Sequence, residues 1–377
     1  MFTTPKTTRR ASRSSNRSSS VAFAVLLAAA LALLSACSGE RADSTTAGAS
    51  GATIRLQGAG ATFPNPLYQK WLSEYGKLNP QAKIDYQSIG SGGGIQQIQS
   101  QTVDFGASDA PMSDDDLKKA PGEILHIPTV LGAVVVTYNL EAAPAPLRFS
   151  PDVIADIFLG KIKKWNDPRI AADNPGVALP ATDISVVHRS DGSGTTAVFT
   201  DYLSKVSPEW KTKPGAGKSV DWPVGIGGKG NEGVSGQIKQ TPNTIGYVEL
   251  AYAVQTKLPV ALIKNKSGNF VEPSLDAVTA AAAESLAATP EHLRVSIIDA
   301  AGANAYPISS YTYILVYKEQ KDAAKGKALV DFLWWSIHDG ERFAKDLQYA
   351  PLPAEIVERA SAKLNSITSG GRALRGA

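Results

Sequence analysis

The chain has 377 residues, 43% of them hydrophobic and 19% charged, an ordinary globular composition in a length that exceeds what one hydrophobic core usually holds. Its formal charge of +3 comes from the first 36 residues, where Lys6, Arg9, Arg10, Arg13 and Arg17 meet no acid; without them 33 basic residues face 35 acidic ones. That balance excludes a chain-wide basic field for nucleic acid, so any anion bound here must be held by local geometry.

In chain order, residues 21–34 form a run of 14 apolar residues behind the basic start. This is too short for a membrane-spanning helix, which needs about 20, and matches the core of a secretory signal, so residues 1–36 are expected to be a signal peptide. Arg9-Arg10 is followed by Ala-Ser-Arg-Ser rather than apolar residues, which favours general secretory export over the twin-arginine route. Leu34-Ser35-Ala36-Cys37 resembles the bacterial lipobox, in which the cysteine becomes the acylated first residue. Cys37 is the sole cysteine: a lipid anchor is expected there, an incidental thiol is the alternative, and a disulfide within the chain is impossible. Residues 37–52 are small and polar, the composition of a flexible tether.

Ile54 and Leu56 then mark a short strand. Leu67, Tyr68, Trp71, Leu72 and Tyr75 recur at helical spacing after Pro64 and Pro66, and a strand with Ile84 and Tyr86 follows. A buried-strand run at Val134, Val135 and Val136 precedes a second such stretch, with Val153, Ile154, Ile157 and Phe158 on one helical face and Val186 and Val187 in a strand. A late strand at Ile314, Leu315 and Val316 leads into an apolar helix around Ala328, Leu329, Phe332 and Leu333. The alternation predicts an α/β fold with substantially parallel sheets. The tail from Ser369 is expected to fray.

Three loops share one composition: residues 58–63 (GAGATF), 90–94 (GSGGG) and 189–196 (RSDGSGTT). Each precedes a predicted helix. Glycines admit a close backbone approach, hydroxyls donate, and the N–H groups of a helix start form a ready anion site. Any one such loop reads more readily as capping and turn chemistry; three of them, one containing an arginine, point to an oxyanion. Arg189 offers a planar fork to two oxygens, unless it is a surface arginine. Asp109 would repel an anion that carries no proton. Toward one that keeps an acidic hydrogen it becomes an acceptor, which separates phosphate from fully deprotonated sulfate. Asp109 also reads as a helix N-cap.

The stretches GAGATFPNPLYQKW, IGSGGGIQQI, VDFGASDAPMS, LGKIKKWNDPRI, HRSDGSGTT, GGKGNEGVSG and TIGYVELAYA occur in this order. Together, over residues 53–352, they resemble the phosphate-binding protein (PstS-type) family of high-affinity bacterial phosphate transporters. The resemblance implies a two-lobed periplasmic-binding-protein fold, type II-like, with the ligand cleft between the lobes and two crossovers, near Val136 to Asn139 and Ala305 to Ser309. Lobe I is then residues 53–137 and 307–370, lobe II residues 138–306, with a frayed tail at 371–377. By motif, Thr62, Phe63, Ser91, Ser193, Gly194 and Thr195 would donate to phosphate, Arg189 would be the charged donor, Asp109 would accept the phosphate proton, and Asp191 would hold Arg189. His188 is expected to be structural.

The resemblance also implies inorganic phosphate as ligand and the transmembrane permease subunits of an ABC transporter as partner. A monomer anchored to the membrane through Cys37, in a periplasm or on the outer face of the cell, is expected, with no nucleic acid, metal or cofactor. A scavenging or sensing lipoprotein without a transporter would use the same fold. A secreted phosphatase is the rival of another class, but Ser193 lacks both the G-x-S-x-G context and a paired base. Residues 225–230 match G-x-G-x-x-G, yet they follow Trp222-Pro223 and read as loop rather than as a nucleotide-binding turn. His126, His188, His292 and His338 show no metal-ligand spacing.

Overall fold

The computed structural model describes residues 53–141 and 146–375. The expected signal peptide, Cys37 and the expected tether lie outside the described residues. Eight strands form one mixed sheet: β1 (Ile54–Gly60), β2 (Ala82–Ser88), β3 (Phe105–Ser108), β4 (Ile124–Asn139), β5 (Ser185–Arg189), β6 (Ile226–Gly228), β7 (Thr244–Glu249) and β8 (Ser309–Tyr317). Their spatial order is β2-β1-β3-β8-β4-β7-β5-β6.

β4 organises this sheet. It is 16 residues long and buried from Ile124 to Tyr138, a near-continuous apolar run of the kind that packs on both faces. Over residues 124–133 it pairs antiparallel with β8, and over residues 134–139 with β7. One strand thus belongs to two half-sheets, each the core of a lobe. The change of partner falls at Ala133/Val134, a few residues ahead of the Val136 to Asn139 crossing expected from sequence, because an unbroken apolar strand carries no mark of where its neighbour changes. The chain returns beside it, where the Val134 N–H donates to the Ile308 carbonyl at 2.8 Å and the Tyr306 hydroxyl to the Val134 carbonyl at 3.2 Å.

The first lobe adds the parallel trio β2-β1-β3. The helix Asn65–Leu78, opened by Pro64 and Pro66, buries Leu67, Tyr68, Trp71 and Tyr75 against it; the Trp71 indole N–H donates to the Gly340 carbonyl at 2.8 Å. In the second lobe β7-β5-β6 are parallel, and the helices Pro151–Phe158, Gly194–Val206 and Gly230–Gln240 contribute Phe158, Phe199, Val234 and Ile238 to the core. The expectation of substantially parallel sheets is corrected at the centre, where β3-β8, β8-β4 and β4-β7 are all antiparallel. Strands that carry the chain between lobes in opposite directions cannot run parallel.

The tail is also corrected. Thr368–Ser369 pairs with Arg372–Ala373, and Arg375 lies 3.9 Å over the Trp334 ring and 3.4 Å from Asp331. A cation over an indole face and an ion pair hold a segment whose composition reads as free. Residues 376–377 lie outside the described residues.

Candidate functional site

The three glycine-containing loops meet where the carboxyl ends of parallel strands point from both lobes into the seam, the usual place for a ligand in open α/β sheets. β1 leads to Thr62 and Phe63, β2 to Ser91, and β3 to Asp109. From the second lobe, β5 ends at Arg189 and leads into the helix Gly194–Val206. Thr62, Phe63, Ser91, Asp109, Arg189, Ser193 and Thr195 are all buried.

Arg189 is 3% exposed. Its Nε donates to Asp191 Oδ1 at 2.8 Å, Nη2 to Asp191 Oδ2 at 2.5 Å, and Nη1 to the Thr195 hydroxyl at 3.3 Å. One N–H on each terminal nitrogen is left for another acceptor. Burial works to raise the Asp191 carboxyl, but the hydrogen bonds and charge of Arg189, with the Gly230 N–H at 3.0 Å, outweigh it and hold Asp191 below the ordinary carboxylate value.

Asp109 is not a helix cap: it follows β3 directly, and the next helix is capped by Ser113. It is 1% exposed, with Oδ1 accepting from the Thr312 hydroxyl at 2.9 Å and Oδ2 from Ser91 at the long distance of 3.5 Å. Burial pushes its pKa up to about 7, against the lowering effects of the Thr312 bond and the Arg189 charge. A carboxyl titrating near neutrality, opposite a buried guanidinium, can accept a proton shared with a ligand.

Donors fill the rest. The backbone N–H groups of Thr62 and Phe63 have no partner among the described residues, and those of Ser91, Gly194 and Thr195 stand in first helical turns, where no intrahelical acceptor exists. Ser193 does cap its helix, its Oγ accepting the Thr196 N–H at 3.0 Å, which leaves its own proton to give. The lobes are closed on each other: Gly92 N–H donates to Gly192 O at 2.8 Å, and a Cβ on Gly194 would stand 2.3 Å from Ser91 Oγ and 2.6 Å from Asp109 Oδ2.

Sequence reasoning missed four residues. Thr312 bonds Asp109. The Tyr247 hydroxyl contacts Thr196 at 2.6 Å and accepts the Arg189 backbone N–H at 3.2 Å. Asn231 reaches Thr62 across the seam and Thr195 on its own lobe. Glu249 is fully buried, accepts from the Ala251 N–H and the Tyr349 hydroxyl, and is pushed well above the ordinary carboxylate value by burial. Asn231, Tyr247 and Glu249 lie in two of the quoted motif stretches, the signal that could have found them. His188 stacks on Trp222 at 4.8 Å, a structural role. The G-x-G-x-x-G stretch is a strand, β6, running into a helix, contrary to its reading as loop, and the first N–H of that helix, on Gly230, is taken by Asp191.

Residues 45–336 match the family described as a PBP superfamily domain. The chain is 47% identical over 311 residues to the phosphate-binding protein PstS of Xylella fastidiosa (strain Temecula1), covering 82% of this chain and 85% of that protein. It is 48% identical over 309 residues to that of Pasteurella multocida, covering 82% and 89%. Among solved structures, a phosphate-binding protein from Stenotrophomonas maltophilia superposes with a TM-score of 0.66 at 20% identity, over 84% of this chain and 97% of that one. A putative phosphate ABC transporter substrate-binding protein with bound phosphate from Clostridium perfringens gives 0.60 at 15% identity, over 80% and 100%. The fold is the two-lobed periplasmic-binding-protein fold, and the chain belongs to the PstS family of phosphate-binding proteins within the PBP superfamily.

Proposed function

We propose that this chain captures inorganic phosphate outside the cytoplasm and delivers it to the membrane subunits of an ABC transporter, held at the envelope by a lipid on Cys37. The observation that carries the reading is the opposition of one buried guanidinium, Arg189, to one buried carboxyl, Asp109, inside a wall of hydroxyl and N–H donors. A fully deprotonated tetrahedral anion would satisfy Arg189 and collide electrostatically with Asp109. Phosphate near neutrality satisfies both, because it keeps a proton to give to the carboxylate.

In the proposed complex the free N–H groups of Arg189 take two phosphate oxygens. Thr62, Phe63 and Ser91 donate from the first lobe, Ser193, Gly194 and Thr195 from the second, and Asp109 accepts. Asp191 orients the guanidinium. Since each lobe holds half of the donors, phosphate favours the closed arrangement, and exclusion of water strengthens each charged contact. The site supports binding rather than turnover: Ser193 Oγ accepts a backbone N–H, and no base pairs with its proton among the described residues.

Calorimetric titration of the full chain, stripped of bound anion, tests this. One-to-one binding of phosphate with no heat from sulfate is expected. No phosphate heat, or equal heat from both anions, would remove the reading.

A further inference from the structure

Asn231 is fully buried at the start of the helix Gly230–Gln240 in the second lobe. Its side chain is bonded on every side. Nδ2 stands 2.7 Å from Thr62 Oγ1 on the first lobe and 3.1 Å from Thr195 Oγ1 on its own, while Oδ1 stands 2.9 Å from the backbone nitrogen of Glu249. The Asn231 backbone N–H also points at Thr62 Oγ1, at 3.3 Å.

The orientation of this amide follows from chemistry. The Glu249 N–H can only donate, so the atom facing it must be the carbonyl oxygen, and the NH2 must face the two threonines. Both amide protons are then consumed by hydroxyl oxygens. Thr62 Oγ1 accepts from the side chain and the backbone of Asn231. Thr195 Oγ1 accepts from Asn231 and from Arg189 Nη1. Each hydroxyl oxygen has its acceptor capacity filled, so each hydroxyl is left with only its proton to offer. The Thr195 proton is thereby left for the ligand side.

We propose that Asn231 is a specificity-determining positioning residue: by fixing Thr62 and Thr195 as donors, it makes the wall facing Asp109 donor-only and ties the two lobes together when the ligand is bound. The inference rests on the phosphate reading above. A threonine hydroxyl is otherwise free to turn and present its oxygen, and an oxygen facing an oxyanion is an acceptor against an acceptor. Asn231 removes that choice on both lobes at once. The Glu249 N–H that locks the amide sits at the end of β7, opposite Val134, the first residue of β4 to pair within the second lobe. The polarity of the site is thereby keyed to the strand that joins the lobes.

The test compares Asn231→Ala with the isosteric Asn231→Asp in the full chain, by phosphate titration and thermal unfolding of the unliganded protein. Asn231→Ala frees the hydroxyls to rotate and should weaken phosphate binding roughly 10- to 100-fold. Asn231→Asp keeps the shape and the Glu249 bond but offers an acceptor to both hydroxyls, turning their protons away from the ligand and adding a negative charge. It should weaken binding by more than about 100-fold, and therefore more than alanine does.

A purely structural role predicts the reverse order, because aspartate preserves packing better than alanine. That order would overturn the inference, as would affinity within about twofold of the parent for Asn231→Ala, or failure of both variants to fold. In a Thr62→Val background the effect of Asn231→Ala should shrink at least about threefold, since one of its two hydroxyls is gone; an unchanged effect would also overturn it. Failure of the parent chain to bind phosphate would strike the reading beneath, not this inference.

Discussion

Arg189 and Asp109 face one site from opposite lobes, and among the described residues the ion pair of the guanidinium is with Asp191 while Asp109 is bonded by the Thr312 hydroxyl at 2.9 Å. A direct pair between them would neutralise both groups and leave nothing for an anion. With Arg189 braced by a carboxylate on one edge and the Asp109 pKa raised to about 7 by burial, each remains available for the proposed ligand, which carries both charge and a proton.

Removing the cation should be the most damaging single change at the site. Arg189→Ala is expected to cost about 2–5 kcal/mol of phosphate binding, as for truncating one partner of a buried charge contact. Titration of the variant measures this directly, and unchanged affinity would take Arg189 out of the site.

Changing the acceptor should alter choice more than strength. Asp109→Asn replaces a carboxylate acceptor with a neutral group that donates at every pH, so sulfate, which has no proton to give, should begin to bind. Competition between the two anions for the variant reads the change. If sulfate stays excluded, the discriminating group lies elsewhere.

Asp109 also makes stability depend on pH. Its folded pKa of about 7 lies above the ordinary aspartate value of 3.8, so between these values the folded chain holds a proton that the unfolded chain has released. Its contribution is therefore fully favourable below about pH 3.8 and is lost as pH rises through about 7. Glu249 and Glu341, both raised by burial, act with the same sign, and His126, lowered to about 3 by burial, opposes them below its ordinary value. The difference between the parent and Asp109→Asn isolates one group: in the unliganded chain, the variant should gain stability relative to the parent as pH rises from about 4 to about 7, the interval between the two values. Parallel Tm profiles would contradict the raised pKa.

Closure can be blocked without touching a charge. A Cβ at Gly194 would meet Ser91 Oγ and Asp109 Oδ2 of the facing lobe well inside van der Waals contact. Gly194→Ala should leave each lobe folded and reduce phosphate affinity about 10- to 100-fold through overpacking of the closed seam. Solution scattering should show less contraction on adding phosphate than in the parent; an equal contraction would mean that the seam yields at no cost.

Much of this was legible in the linear chain because it depends on neighbours in sequence. Pro64 and Pro66 before an apolar periodic stretch announce the helix Asn65–Leu78, Ser193 ahead of Gly-Thr-Thr announces a capped helix, and the run through Val134 to Val136 announces a strand covered on both faces. The residue types of the proposed site were legible too: Arg189, Asp109 and the hydroxyls of the glycine loops are groups that a protonated oxyanion would require.

What the tertiary structure alone decided is which of these groups meet and which way their hydrogen bonds run. Composition does not say that β4 changes partner at Ala133/Val134, since the strand is apolar on both sides of that point. Spacing does not say that Asn231 reaches Thr62, 169 residues away, or that its amide is turned by the Glu249 N–H rather than free to flip. A residue type states what a group can donate or accept, but burial and the partners brought by long-range pairing determine which of those capacities remains for the ligand.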